Sequence, residues 1–271
     1  MTRFPERSSA FCRALVVSAA IVLGGCAGTT RLPADSQDIR TASDQTDADR
    51  RGNARLQLAS AYFSRGQLTT ALDEVKLALA AKPDLPEALN LRGLIYAAMN
   101  ETRLAEDSFR RAMGIAPGDS DIMHNFGWFL CQQGRIAEAD SQFAAALQQP
   151  QYRGTTRTLL ARGVCQARAG KWIEAEASLT RSYELDPTNP ATAYNLSDVL
   201  YRRGEYERAR FYMRRVNASQ DFSNAQSLWL AARIESKMGN SAGARDLGNR
   251  LRDRFPQSPE ALSFERGRFD D

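Results

Sequence analysis

Small and large apolar residues recur along most of this chain at intervals of about 34 residues. Within each interval a pair of small residues stands twelve apart: Ala59 and Ala71, Gly93 and Ala105, Gly127 and Ala139, Gly163 and Ala175, Ser197 and Ala209, Ala232 and Ala244. Aromatic or branched residues such as Tyr62, Val75, Tyr96, Phe109, Leu130, Phe143, Leu179, Leu200 and Met213 flank them. Gly66, Gly134, Gly170, Gly204 and Gly239 fall between the two small residues, where one helix must end and the chain turn. Pro83, Pro117, Pro187 and Pro256 stop the second helix. The pattern predicts six antiparallel helical hairpins over 52–85, 86–119, 120–155, 156–189, 190–224 and 225–258. One hairpin cannot bury its own apolar face, so neighbours must stack. Residues 259–271 are left for a short closing helix, carried by Glu260, Ala261, Leu262 and Phe264, and a tail. Two residues are added near 150–154, predicting a changed pitch or a new contact there; one more enters between Asn217 and Asn224.

This spacing resembles the tetratricopeptide repeat. The resemblance implies an all-α fold, a right-handed superhelix of six repeats whose first helices line a concave face. On those inner positions stand Leu56 and Phe63, then Asn90 and Leu94, His124 and Trp128, Val164 and Arg168, Tyr194 and Tyr201, and finally Trp229 and Arg233. An apolar floor with scattered aromatics suits an extended or helical peptide, and Trp and Tyr are frequent interface anchors. Ordinary packing between helices is the competing account of Trp128. Tyr194 and Tyr201 lie seven apart on one helix face, and either contact or packing serves them.

The N-terminus follows another logic. Arg3, Arg7 and Arg13 precede the apolar run Ala14 to Leu23, and Leu23-Gly24-Gly25-Cys26 closes it. A basic stretch, a short apolar run and small residues make a secretory leader, too short to span a bilayer. The cysteine after two small residues resembles a bacterial lipobox, so residues 1–25 are expected to be removed and Cys26 acylated. Residues 26–51 are polar and predict a disordered tether. Ala27 in place of aspartate points, by the enterobacterial sorting rule, to the outer membrane. Of the net charge of +4, half leaves with the leader, so the basic balance names no partner. No Lys/Arg block interleaved with aromatics suggests nucleic acid.

Chemistry-bearing residues are few. Cys12 leaves with the leader and Cys26 is expected to be acylated, so Cys131 and Cys165 remain as a pair. They fall on adjacent first helices, pointing about 160° apart around the helical wheel with an axial offset of roughly 3 Å. A disulfide between opposed flanks is reasonable geometry; two free buried thiols are the alternative. His124 is the only histidine, and its i+4 neighbour is Trp128, so no metal pair forms on its helix. No serine elbow, phosphate loop or zinc-protease helix follows the leader. We expect no enzyme, no metal and no cofactor.

The segment His124-Asn125-Phe126-Gly127-Trp128-Phe129-Leu130-Cys131, with the lipobox, the six repeats and Leu185-Asp186-Pro187 before Asn189-Pro190, is similar to the type IV pilus biogenesis lipoprotein family. The cysteine pair matches a disulfide seen in some of its members. The resemblance implies a pilotin or assembly factor for the pilus secretin, the outer-membrane ring through which the fibre exits, or a factor in pilus stability. Carried over, it implies a lipid-anchored scaffold on the periplasmic face of the outer membrane, gripping secretin through Asn90, Leu94, His124 and Trp128. A scaffold for another envelope assembly machine is the alternative.

Overall fold

The computed structural model describes residues 46–269; the leader, Cys26 and the tether up to residue 45 lie outside the described residues. Among these residues thirteen helices follow one another: α1 (Asp47–Ser64), α2 (Leu68–Ala81), α3 (Pro86–Ala98), α4 (Thr102–Ile115), α5 (Ser120–Gln132), α6 (Ile136–Leu147), α7 (Thr155–Arg168), α8 (Trp172–Leu185), α9 (Pro190–Arg202), α10 (Tyr206–Ala218), α11 (Ala225–Lys237), α12 (Ser241–Arg254) and α13 (Pro259–Glu265). Among the described residues there is no strand. The first twelve pair into the six expected hairpins, giving a tetratricopeptide-repeat superhelix.

Local chemistry sets the helix starts. Asp119 and Asn189 each accept two backbone N–H bonds at the starts of α5 and α9, while proline opens α3, α9 and α13. Each turn between paired helices takes a residue with positive φ. In the second hairpin, which lacks the glycine, Asn100 takes that place at φ 62°.

The small residues set how closely the helices of a hairpin approach. A Cβ on Gly93 would stand 2.8 Å from the Phe109 ring, and one on Gly163 would stand 2.5 Å from Leu179 Cγ. At Ser197 the hydroxyl donates to the Ala209 carbonyl across the same gap, at 2.8 Å. The backbones of consecutive odd-numbered helices approach each other closely, whereas those of even-numbered helices do not. The odd-numbered helices therefore form the tighter, inner side of the curve.

Two boundaries differ from expectation. The tether expected to run to residue 51 gives way to helix at Asp47. Thr46 and Asp49 form a capping box, Lys82 meets Asp49 at 2.6 Å, and buried Gly52 packs against Lys82 and Leu85. The Lys82 ammonium, with Thr46, holds the Asp49 carboxyl well below the usual carboxylate range. The polar composition that argued for disorder is offset by partners at the end of the same hairpin.

The second difference lies at the far end. The sixth hairpin has Gly248 where the others carry Val75, Phe109, Phe143, Leu179 or Met213. Phe264 of α13 fills that space so closely that a Cβ on Gly248 would fall 2.0 Å from its ring. The closing helix thus supplies the side chain that the last repeat lacks.

Candidate binding groove

The inner face is built by α1, α3, α5, α7, α9 and α11. In its first half Asn90 and Leu94 on α3 face Asn125 and Trp128 on α5. The Asn125 side-chain amide donates to Asn90 Oδ1 at 3.3 Å. Leu94 and Trp128 are both half-buried and rest on one cluster built around Phe109, Phe126, Phe129 and Phe143. The outer face of the Trp128 ring carries the Arg168 guanidinium, 5.2 Å from the ring centroid. Asn90, Leu94 and Trp128 therefore share one inner-face patch.

His124 does not join them at the surface. Its side chain is turned inward and the residue is only 8% exposed, which corrects the expected direct contact. Nδ1 lies 2.8 Å from Thr158 Oγ1 on α7, and that hydroxyl lies 2.6 Å from the Tyr152 phenol. The lengthened connection at 150–154 brings Tyr152 into this chain of hydrogen bonds, the contact its two extra residues allowed. Burial, with Arg157 adding to it, pushes the His124 pKa down to about 4 from 6.5.

The imidazole is therefore neutral at pH 7 in the folded chain. Between pH 6.5 and 4 the unfolded chain binds this proton and the folded chain does not. Stability then rises with pH through that window and is lost as pH falls, by up to about 3 kcal/mol from this group. We expect His124→Gln to lose less stability than the parent between pH 7 and pH 4.5. Denaturation midpoints at the two pH values check this; an equal loss in both proteins contradicts it.

Cys131 and Cys165 are buried, their Cα atoms 5.8 Å apart, and they form a disulfide between α5 and α7. The alternative of two free thiols does not hold in this structure. Tyr194 on α9 is half-buried and lines a cleft of about 450 Å³ with Pro190, Val216 and Phe222. Burial, with Asp198 nearby, raises its phenol pKa. Tyr201, expected beside it, is only 8% exposed, covered by the Arg233 guanidinium at 4.8 Å and packed against Tyr206 at 5.6 Å. The same helix face holds both tyrosines, but α11 covers the second.

Three groove features escaped the sequence reading. Thr158 joins His124 to Tyr152; Trp172 lies under Arg202 at 5.3 Å. Phe269, from the tail, packs its ring against Trp229 at 5.2 Å, and its carbonyl accepts from Arg233 Nε at 3.1 Å. The extra length near 152 was a signal for the first of these; nothing in the repeat pattern marked the other two.

Models of the tetratricopeptide repeat family match residues 56–120, 127–190 and 166–228. The type IV pilus assembly protein PilF of Pseudomonas aeruginosa is 27% identical over 252 residues, covering 93% of this chain and 97% of that protein. The crystal structure of PilW, described as a widely conserved type IV pilus biogenesis factor, superposes with a TM-score of 0.74 at 30% identity, covering 79% of this chain and 97% of that one. The Pseudomonas aeruginosa PilF structure also gives 0.74, at 26% identity, covering 82% of this chain and all of the other.

Proposed function

We propose, from the premise that this chain belongs to the tetratricopeptide-repeat family of type IV pilus biogenesis factors, that it captures the pilus secretin and promotes its assembly in the outer membrane. As a pilus-related repeat scaffold, it works by holding a partner, with no bond made or broken. Acylation of Cys26 would keep it on the periplasmic face of that membrane, within reach of subunits as they insert. The observation that carries the reading is the joined patch of Asn90, Leu94 and Trp128, half-buried on a rigid aromatic floor. Such a surface offers apolar area with a few amides to fix orientation, as a peptide-binding groove requires. His124 supports it from below by tying α5 to α7.

The test is a strain in which Leu94→Ala and Trp128→Ala replace the native residues in the full-length chain. Heat-resistant secretin multimers on a gel are expected to fall at least several-fold, with chain abundance and helicity retained. A second variant, Ile173→Ala, alters a side chain 71% exposed on the outer helix α8 and is expected to leave the multimers unchanged. Native multimer yield in the double variant would remove this surface from the account.

A further inference from the structure

The two halves of the groove differ in charge. In the last three units the inner positions carry Arg157, Arg168, Arg202, Arg233 and Lys237 against one carboxylate, Asp198. The same positions in the first three units hold Glu87 and Asp121 and no cation. Arg157 pairs with Asp121 at 2.6 Å and Arg202 with Asp198 at 2.9 Å. Arg168, Arg202 and Arg233 are also laid over the rings of Trp128, Trp172 and Tyr201, at 4.8–5.3 Å. A guanidinium stacked on a ring keeps its N–H groups in plane, where they can bind a carboxylate or carbonyl from a passing chain.

The end of the groove contains an example of such binding. Phe269 of the tail sits on Trp229, and its backbone carbonyl takes the Arg233 Nε donor. Ring and main chain together are held as a docked peptide would be. The sequence continues with Asp270 and Asp271, which lie outside the described residues.

We propose that the groove of units four to six is a second docking surface, for an extended acidic segment carrying an aromatic residue, and that Phe269 occupies its last pocket until such a segment displaces it. The aromatic side chain takes the face of Trp229, and the acidic residues lie along Arg233, Arg202 and Arg168. This surface is centred on Trp229 and Arg233, at the far end of the groove from Leu94 of the secretin patch, and the two adjoin only where Arg168 lies over Trp128.

A fluorescein-labelled peptide, Glu-Gly-Ser-Phe-Asp-Asp, titrated into the full chain by anisotropy tests this. A tethered competitor acts at an effective concentration near 1 mM, so its removal strengthens binding of a weak external peptide by roughly 10-fold. Phe269→Ala is therefore expected to bind the peptide about 10-fold more tightly than the parent. Adding Arg233→Gln should reverse that gain, and a peptide with its two aspartates replaced by asparagine should bind several-fold more weakly. Leu94→Ala should bind as the parent does, which separates this surface from the first. Phe269 lies beyond the last helix, and unchanged helicity verifies that the variant folds. Equal binding by parent and Phe269→Ala, or by the acidic and asparagine peptides, overturns the proposal.

Discussion

Phe109→Ala is expected to lower the unfolding free energy by about 3–5 kcal/mol, the range for deleting a fully buried phenylalanine side chain. Phe109 is 0% exposed, stacks on Phe126 at 5.6 Å and meets Phe129 in a tilted pair at 5.5 Å. It lies on α4, fits into the space left by Gly93 on α3, and reaches two rings of α5, so it joins the second repeat to the third. Stability in a repeat array is a sum of unit and neighbour-interface terms, and this residue contributes to both. The cavity would open within the cluster on which Leu94 and Trp128 rest. Urea denaturation followed by far-ultraviolet circular dichroism checks the value; a loss below about 1 kcal/mol would mean that the cluster collapses around the vacancy.

Replacing Cys131 and Cys165 together by alanine is the second large effect. Closing a loop of 34 residues stabilises by about 2–4 kcal/mol through the restricted unfolded chain. In a chain of this size we expect a melting temperature lower by about 5–15 °C. The link ties α5 to α7, which the His124–Thr158 hydrogen bond joins about two turns away. It therefore fixes the two helices that bring Arg168 over Trp128. Thermal scans of parent and variant, with and without reductant, give the comparison. The reduced parent should melt close to the variant, whereas melting of parent and variant within 1 °C under oxidising conditions would leave the bridge without a stabilising role.

The outcome at individual residues shows how far the repeat pattern reaches. It placed Cys131 and Cys165 on opposed flanks of adjacent first helices, and the bond between them follows from that placement. It also put Leu94 and Trp128 on one inner face, where both rest on the Phe109 cluster. It assigned His124 and Tyr201 to that face too, yet both are buried, and what covers them comes from elsewhere. Thr158 and Arg233 belong to the next hairpin, and Tyr152 to a connection outside the repeat.

At the ends the pattern was least informative, because a terminal repeat has a neighbour on one side only. Lys82 extended α1 back to Asp47, Phe264 filled the space over Gly248, and Phe269 settled on Trp229.

The sequence by itself determined the six hairpins, their close approach at small residues and the face each helix buries, because periodicity records what a helix needs from its immediate neighbours. The tertiary structure alone decided which inner-face side chains remain open to a partner, because burial there depends on residues some 30 or more positions away and on segments that repeat nothing.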